Sequence, residues 1–374
     1  MWGLQNFEII LLSFFGFFFL IQMYYYWGVY CKIFFPNYTS HISIGEPVSI
    51  VICARNEAEN LEKYLPLVCE QDYPNFEVIV VNDCSIDDTE EVLKRLSAKY
   101  KNLRYTFIKE DEKFSHGKKL ALTVGIKSAK NEWLLLTDAD CRPESNQWLS
   151  TMSQHFIDGN SIVLGYGGFE TEKGFLNKFL RFDTFFIALQ YMSYAIYGRP
   201  YMGVGRNLAY RKSLFLSNKG FASHARLNSG DDDLFINEVV RHNNVRVEYS
   251  IAAHTKSKAK DTFSKWVEQK QRHYTTFPKY KSIHKRILGI ELLSRVGFYS
   301  LFITLLITST FLWKIILGLF IFRTINQLIV FRKSLKQFGE KKLLLISLLY
   351  DLCIPFINFG IYSSNLFRPK NRWR

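Results

Sequence analysis

The stretch Leu134-Leu-Leu-Thr-Asp-Ala-Asp-Cys-Arg-Pro143 joins an apolar run to two aspartates, Asp138 and Asp140, which are separated by one residue. Such a run is typical of a buried strand in a parallel sheet, and open α/β sheets bind ligands at the carboxyl ends of their strands. Because alternate residues of an extended chain point to the same side, we expect both carboxylates to face one site. Carboxylate oxygens suit Mg²⁺ or Mn²⁺, so we predict a divalent-cation site here. The alternative is a solvated turn that ends the strand, which is the commoner meaning of a lone Asp-x-Asp.

Strand and helix patterns alternate through the segment that contains this stretch. The predicted strands lie at 48–53, 76–81, 103–108 and 133–137, and the predicted helices at 57–70, 90–100 and 117–129. The strands are short β-branched or apolar runs, and the helices show apolar residues at helical spacing. Alternation of this kind predicts an α/β fold with a doubly wound parallel sheet.

Apolar residues at the amino terminus predict a membrane anchor. Phe7–Tyr30 is almost wholly apolar and aromatic. At about 1.5 Å per residue, a helix of this length crosses a bilayer core of about 30 Å. Glu8 precedes the segment and Lys32 follows it, so the positive-inside tendency predicts an outside amino terminus and a cytoplasmic domain after the anchor.

Three further apolar segments lie near the carboxyl terminus, at 296–312, 315–331 and 343–362. The first two form a candidate hairpin, and Arg323 in the second must face protein or a polar cavity. The third contains Asp351 and a proline. Basic residues flank this third segment on both sides, and a full span would separate them across the membrane. The third segment is therefore predicted to span the membrane or to be re-entrant or interfacial, and the sequence leaves this open.

These patterns divide the chain into three parts. We predict an anchor at 1–32, a cytoplasmic domain at 46–285 and a membrane region at 286–374 with two to three apolar segments. Within the cytoplasmic domain, the segment at 175–201 is rich in Phe and Tyr but contains charged residues. We predict that it forms an amphipathic helix at the membrane surface, with a buried helix that roofs the active site as the alternative.

The chain is basic, with 48 Lys plus Arg against 34 Asp plus Glu and a formal net charge of +14. An excess of this size is compatible with nucleic acid, anionic lipid or phosphorylated ligands. The basic residues concentrate beside the apolar segments, especially at 314–374, so we predict membrane lipids as a partner and no nucleic acid. The 6 cysteines show no Cys-x-x-Cys pair or zinc spacing, which favours buried thiols in a reducing compartment.

Further polar clusters follow predicted strands or precede predicted helices. They are Cys53-Ala-Arg-Asn-Glu57, Val81–Thr89, His116-Gly-Lys-Lys119 and Ser229-Gly-Asp-Asp-Asp-Leu-Phe235. A lysine at 118 is placed to meet a pyrophosphate at a helix amino terminus. Crowding among the three consecutive carboxylates raises at least one pKa, as a general base requires. The alternative for the first two clusters is a helix cap, and the alternative for the three aspartates is a solvated acidic turn.

In their order and rough spacing, these clusters resemble the motifs of the membrane-bound, processive-type glycosyltransferases of family 2, which include cellulose and hyaluronan synthases. The matching residues are Ala54–Glu57, Asp83–Thr89, Asp138–Asp140, Gly203–Asn207, Gly230–Asp232 and Gln269–His273. The resemblance implies a GT-A fold, a nucleotide-sugar donor, Mg²⁺ or Mn²⁺ as cofactor, and a transfer that inverts the anomeric centre.

The resemblance also implies roles for individual residues. The implied donor-binding residues are Ala54, Arg55, Glu57, Asp83, Asp138 and Arg272. We add Lys118 to this set because of its place at a helix amino terminus. The implied metal ligands are Asp140 and Asp138, and the implied acceptor-binding residues are Gly205, Asn207, Gln269 and His273. The implied base is Asp232, with Asp231 as the alternative because the alignment is uncertain by one residue.

One departure from the family pattern concerns His273, which stands where the Gln-x-x-Arg-Trp motif has Trp. The departure weakens the case for acceptor stacking and for a long polymer channel. We therefore predict transfer from a UDP- or GDP-sugar to a lipid-linked or cell-surface glycan acceptor, by an enzyme of the cell's inner membrane whose catalytic domain is cytoplasmic. The alternatives are a processive polysaccharide synthase and a catalytically silent membrane scaffold. The sequence does not predict the oligomeric state.

Overall fold

The computed structural model describes residues 6–35, 45–109, 117–241, 243–309 and 311–367. Its strands are β1 (Val48–Ala54), β2 (Phe76–Asp83), β3 (Leu103–Ile108), β4 (Trp133–Asp138), β5 (Cys141–Pro143), β6 (Ile162–Gly165), β7 (Gly167–Phe169), β8 (Leu208–Arg211), β9 (Val245–Glu248) and β10 (Thr255–Ser257). All of these strands lie within the segment predicted as the cytoplasmic domain, at 46–285.

The helices lie between and after these strands. They are α1 (Asn6–Met23), α2 (Ala58–Cys69), α3 (Thr89–Lys99), α4 (Lys118–Ser128), α5 (Trp148–Ser153), α6 (Phe175–Ile196), α7 (Lys212–Ser217), α8 (Asp233–Val239), α9 (Phe263–Tyr274), α10 (Ser282–Thr308), α11 (Trp313–Gln337) and α12 (Ile346–Phe367). The four strands and three helices predicted before residue 138 are all present within a few residues of their expected bounds.

The main sheet has the strand order β3-β2-β1-β4-β8-β6-β9. The strands β3, β2, β1 and β4 run parallel, as the alternating pattern predicts. The strand β8 runs antiparallel to both β4 and β6, whereas β9 runs parallel to β6. Six of the seven strands therefore share one direction, as predicted, and β8 makes the sheet mixed. Because β1, β2 and β4 are parallel neighbours, the loops that follow them meet at one edge of the sheet.

The segment predicted at 175–201 forms α6, which packs against β7, β9, α12 and a short helical turn at Tyr30–Phe34. Its charged residues Arg181 and Asp183 are 3% and 2% exposed, so both point into the protein. This burial fits the predicted alternative of a buried helix and does not fit a helix that lies exposed on the membrane surface.

Four helical segments are long and apolar enough to cross a membrane. They are Phe7–Phe34, Ser282–Thr308, Trp313–Gln337 and Ile346–Asn365. They overlap the four apolar segments expected from the sequence, although α10 begins well before the predicted start at residue 296. Arg323 in α11 is wholly buried and donates to Asp351 and Gln22, so it faces protein, as a charge in such a helix must.

Candidate active site

The end of β4 carries the predicted pair of carboxylates. Ligand atoms of Asp138, Asp140 and Cys141 lie within 4.8 Å of one another. Burial, followed by the charge of Asp138, raises the pKa of Asp140, so a cation between the two carboxylates would stabilise both as anions. Two carboxylates of this kind fit Mg²⁺ or Mn²⁺, which take hard oxygen ligands. The Cys141 thiol is a softer ligand and lies 3.5 Å from Asp140 Oδ1, to which it donates.

Lys118, the first residue of α4, connects this pair to the acidic loop at 230–233. Its Nζ donates to Asp138 Oδ1 at 2.7 Å and lies 3.1 Å from Asp231 Oδ2. Burial alone would lower the pKa of Lys118, but the neighbouring Asp138 and Asp231 outweigh burial and hold that pKa well above its usual value. Lys118 is therefore a fixed cation between the strand end and the acidic loop. His116, from the same sequence cluster, lies outside the described residues.

Asp232 occupies the amino-terminal cap of α8. Its Oδ1 accepts from Asp233 N at 2.7 Å, and its Oδ2 accepts from Gly205 N at 2.8 Å. Burial, followed by the charges of Asp231 and Asp233, raises the pKa of Asp232 to about 7. Burial also raises the pKa of Asp231, but Lys118 outweighs it and the net pKa is lowered. The two candidate bases thus differ, and Asp232 has the pKa that suits proton transfer near neutral pH.

One pocket collects residues from five separate parts of the chain. Its lining comes from the end of β1, the start of α4, the end of β4, the Gly203–Asn207 loop and the acidic loop. The lining residues are Cys53, Lys118, Leu122, Leu136, Thr137, Asp138, Gly205, Leu208, Asp231 and Asp232. Five of the predicted site residues therefore share one space, although they are spread over more than a hundred positions of the sequence.

The loops after β1 and β2, which carry predicted nucleoside-binding residues, are joined by hydrogen bonds. Asn56 has a positive φ of 56°, and its backbone N–H donates to Ser85 Oγ at 2.9 Å. The backbone N–H of Glu57 donates to Thr89 Oγ1 at 3.0 Å. Burial is the main cause of the raised pKa of Glu57, and the charge of Asp140 adds to it, so this loop lies close to the carboxylate pair.

Comparison with known sequences finds a family model that matches part of the chain. The family model described as "Glycosyl transferase family 2" matches residues 49–216. This chain carries a glycosyl transferase family 2 domain. The matched region runs from β1 to α7 and includes Asp83, Lys118, Asp138, Asp140 and Gly205. The acidic loop and α9 lie beyond the matched region.

Three curated relatives align with parts of the chain. Glycosyltransferase AglE of Haloferax volcanii is 37% identical over 136 residues, which are 34% of this chain and 43% of AglE. A poly-beta-1,6-N-acetyl-D-glucosamine synthase of Staphylococcus epidermidis is 35% identical over 95 residues, 25% of this chain and 22% of the synthase. The Escherichia coli beta-1,3-glucosyltransferase WfaP is 27% identical over 134 residues, 35% of this chain and 49% of WfaP. The chain thus matches less than half the length of each relative.

A solved structure shares the fold over nearly the whole chain. Mannosyltransferase PcManGT from Pyrobaculum calidifontis, solved with GDP-Man and Mn²⁺, superposes with a TM-score of 0.59 at 18% identity, and the match covers 92% of this chain and 98% of that one. The family 2 domain therefore has the GT-A fold expected from the sequence.

Some predicted site residues do not line the pocket described above. Asp83 ends β2 and is 2% exposed. Ala54 is buried and Arg55 is half-buried in the loop after β1. Gln269, Arg272 and His273 lie on α9, where Gln269 is half-buried and the other two are exposed. For the described residues, no hydrogen bond joins these three α9 side chains to the pocket, so their roles stay predictions.

Asn207 has an environment that argues against its predicted contact with an acceptor. It is 0% exposed. Its Oδ1 accepts from Trp148 Nε1 at 3.0 Å, and its Nδ2 donates to the carbonyl oxygens of Tyr166 and Ala253. The side chain therefore fixes the loop that presents Gly205. The sequence could not show this, because a polar residue beside glycines is equally typical of a ligand loop.

Arg206 is a residue that the sequence analysis missed. It lies in the quoted Gly203–Asn207 motif, and its guanidinium stacks on Phe169 at 4.6 Å from the ring centroid. The positive charge of Arg206 partly offsets the effects of burial and Asp138 on the pKa of Asp140. Its position inside the glycine-rich motif is a signal of a functional residue. The family resemblance implies roles for its neighbours Gly205 and Asn207 but not for Arg206.

Proposed function

We propose that this protein is a metal-dependent, inverting glycosyltransferase that moves a sugar from a nucleotide-diphosphate donor to a lipid-linked or cell-surface glycan acceptor. The observation that carries the proposal is the pocket in which Lys118 and Asp138 of the family 2 domain meet Asp231 and Asp232 of the acidic loop. A cation and several carboxylates in one partly buried space provide both the charge stabilisation and the base that glycosyl transfer needs.

Asp138 and Asp140 are the residues that would hold Mg²⁺ or Mn²⁺, and the bound ion would neutralise charge on the departing nucleoside diphosphate. PcManGT, which shares the fold, was solved with Mn²⁺ and GDP-Man. Lys118 adds a fixed positive charge on the same side, next to Asp138. We assign Glu57 and Asp83 to the nucleoside and Arg272 to the diphosphate.

Asp232 is the proposed general base. It takes the proton of the acceptor hydroxyl while that oxygen attacks the anomeric carbon from the face opposite the leaving nucleotide, and the proton ends on the Asp232 carboxyl group. Its two backbone donors, Gly205 N and Asp233 N, fix the direction of the carboxylate. Asp231 is the weaker candidate, since Lys118 holds its pKa below the usual value.

A lipid-linked acceptor is supported by two observations. The described chain has four helices long and apolar enough to cross a membrane, so the family 2 domain is held near lipid. The name of the relative WfaP states that it transfers glucose from UDP-Glc to a diphosphoundecaprenol-linked sugar. We place the protein in the cell's inner membrane, with its catalytic domain in the cytoplasm.

A processive polysaccharide synthase is the second candidate, favoured by the similarity to the poly-beta-1,6-N-acetyl-D-glucosamine synthase. His273 in place of Trp favours a short product, because the imidazole ring offers a smaller stacking surface than an indole. Mass analysis of the product separates the two candidates. One or a few added sugars support the first, and a ladder of long chains supports the second.

The experiment that tests the proposal is a screen of purified full-length protein in lipid against a panel of UDP- and GDP-sugars with Mn²⁺ or Mg²⁺ and an extract of lipid-linked acceptors. Release of a nucleoside diphosphate with one donor, together with transfer of its sugar, is the expected result. Donor binding without transfer for every donor would instead identify a silent scaffold.

Donor binding should depend on the metal that Asp138 and Asp140 are proposed to hold. Asp140→Ala removes one of the two proposed carboxylate ligands, so we expect donor affinity measured with Mn²⁺ by titration calorimetry to fall at least tenfold. Asp158→Ala is the matched control, because Asp158 is a fully exposed aspartate that pairs with Arg211 on the surface. Equal Mn²⁺-dependent affinity in the Asp140 variant and the control would refute the metal assignment.

A further inference from the structure

Helix α12 packs at its amino-terminal end against the segment at 46–285, which we call the catalytic part. Tyr350 Oη donates to Asp183 Oδ1 on α6 at 2.7 Å, and the Tyr350 ring lies 4.9 Å from that of Phe182. Asp183 also accepts from Lys270 Nζ of α9 at 2.7 Å and from Trp266 Nε1 of α9. The start of α12 is therefore joined to both α6 and α9.

The other end of α12 returns to α9. Gln271 Nε2 donates to Ser364 Oγ at 2.8 Å, and Asn365 Nδ2 donates to the Gln271 carbonyl oxygen at 2.8 Å. Between the two ends, Ile354 and Ile361 are buried in the same hydrophobic core as the strands of the main sheet. From Tyr350 to Ser364, α12 thus follows the catalytic part for about 21 Å, at about 1.5 Å per residue.

The chemistry of α9 decides where this contact can lie. Lys265, Glu268 and Arg272 of α9 are exposed, and Lys270 is paired with Asp183. A helix with several exposed charges does not lie in hydrocarbon. A distance of about 21 Å covers most of a bilayer core of about 30 Å. A spanning α12 would therefore carry part of α9 deep into the bilayer, and the charges on α9 exclude that arrangement.

The opposite side of α12 is an exposed apolar stripe. Its residues recur every three or four positions, which places them on one face of the helix. The stripe consists of Leu345, just before the helix, and of Leu348, Leu349, Leu352, Phe356 and Phe359. Phe356 is 62% exposed and Phe359 is 73% exposed. An apolar face made of six exposed side chains indicates that another apolar surface covers it.

The charges before and after α12 in the sequence indicate what covers the apolar stripe. Glu340, in the loop before α12, is paired with Arg181 of α6 and Lys256 of β10, so this loop lies on the side of the catalytic part. Lys341 and Lys342 of the same loop are exposed. The sequence after α12 is also basic, with four Lys or Arg residues among its last seven. Basic residues at both ends of an apolar stripe match the anionic headgroups and acyl chains of a lipid surface.

We propose that α12 does not cross the membrane but lies along its surface, with the stripe at the boundary between headgroups and acyl chains. The spans are then α1, α10 and α11, and both ends of α12 lie on the side of the catalytic part. This arrangement places the two basic stretches on one side of the membrane, which a spanning α12 would prevent. It also makes α12 the element that holds α9, with Gln269, Arg272 and His273, against the lipid surface.

The first test concerns the side on which the chain ends. An epitope tag is placed after Arg374 and a second, different tag in the exposed turn around Asp158 of the catalytic part. Both are probed with antibody in sealed, oriented vesicles of known sidedness that hold the full-length protein. We expect both tags to be accessible from the same side. Accessibility from opposite sides would overturn the proposal.

The second test measures depth in anionic vesicles by spin-label accessibility to oxygen and to a water-soluble nickel chelate. Single labels replace Leu345, Leu352 and Phe359, in a background whose half-buried Cys31, Cys53, Cys84 and Cys353 are replaced by Ala. We expect three similar, shallow depths. Depths that change by about 1.5 Å per residue, or about 21 Å from 345 to 359, would show a span and refute the proposal.

The matched control for this measurement is α1, labelled at Ile10, Phe14 and Phe17, which are exposed apolar residues of a proposed span. These labels must show the stepwise change of depth that α12 lacks. Neither test requires sugar transfer, so the proposal for α12 and the proposed function can fail separately.

Discussion

At the scale of single residues, each of three consecutive aspartates has different partners. Asp231 faces Lys118, Asp232 accepts from Gly205 N, and Asp233 accepts from Thr276 and Tyr280. The sequence Asp-Asp-Asp alone suggests mutual repulsion at a solvated turn. In the structure, each carboxylate instead connects the acidic loop to a separate element.

Asp232→Asn should lower kcat by about 10²–10⁴-fold, because the amide cannot accept the proton of the acceptor hydroxyl. The donor dissociation constant should stay within about twofold of wild type, since Asp232 is not assigned to the donor. Transfer kinetics and calorimetry measure the two quantities. Near-normal kcat in this variant would transfer the role of base to Asp231, for which Asp231→Asn is the matching substitution.

The dependence of transfer activity on pH should follow the protonation of Asp232. Burial and the charges of Asp231 and Asp233 raise the pKa of Asp232 to about 7. A general base must be deprotonated, so activity should fall as pH drops below about 7 and should level off above it. Transfer rates at saturating donor between pH 5.5 and 8.5 test this. A profile that is flat down to pH 5.5 would contradict the assignment of Asp232.

At the scale of elements, Asp233 connects the acidic loop to the segment between α9 and α10. Tyr280 Oη donates to Asp233 Oδ2 at 2.8 Å, and both residues are buried. Tyr280→Phe removes this donor and leaves Thr276 as a remaining side-chain partner, so the free energy of unfolding should fall by about 1 kcal/mol. Thermal unfolding measures the change. Tyr362→Phe, at a 40% exposed tyrosine of α12, is the control and should change stability by less than about 0.5 kcal/mol.

Glu340 makes the corresponding connection between the α11–α12 loop and the catalytic part. Its carboxylate is buried between Lys256 and Arg181. Glu340→Ala leaves two buried cations without their partner, so we expect a loss of about 3–5 kcal/mol of stability. The exposed Glu172 provides the control Glu172→Ala, which should change stability by less than about 0.5 kcal/mol. Equal melting temperatures in the two variants would show that the loop does not depend on this pair.

Burial opposes ionisation of Glu340, but Lys256 and Arg181 outweigh burial and lower the pKa of Glu340 below its usual value. The contribution of this pair to stability is therefore fully present above the usual Glu pKa of about 4.3 and is lost as pH falls through the lowered pKa. The wild type should lose this contribution on acidification, and the Glu340→Ala variant has no such contribution to lose.

The elements also show what the sequence could and could not predict. The strands that end at Asp83 and Asp138 were predictable, because apolar runs and helical periodicity alternate regularly there. The antiparallel strand β8 was missed, because Leu208–Arg211 is only four residues long and follows a glycine loop rather than a helix. The burial of α6 was not the favoured prediction, since Arg181 and Asp183 appear solvent-seeking until their distant partners Glu340, Lys270 and Tyr350 are known.

At the scale of the whole molecule, one hydrophobic cluster joins parts of the apolar helices to the main sheet. Tyr26 and Tyr30 at the end of the first span belong to the same core as Val51 of β1 and Ile354 of α12. Arg323 donates to both Asp351 and Gln22, and these hydrogen bonds join α11, α12 and α1. The sequence could place these segments in a membrane but could not show their partners, because the pairs are separated by up to three hundred residues.

The central claim is that residues from separate segments form one site for a divalent cation and a nucleoside diphosphate. An experimental structure of the full-length protein with Mn²⁺ and the diphosphate of its donor tests this claim directly. We expect Mn²⁺ on Asp138 and Asp140, the diphosphate beside Lys118, and Asp232 facing the space beyond the diphosphate. Nucleotide and ion bound at another surface, with this pocket unchanged, would refute the proposed site.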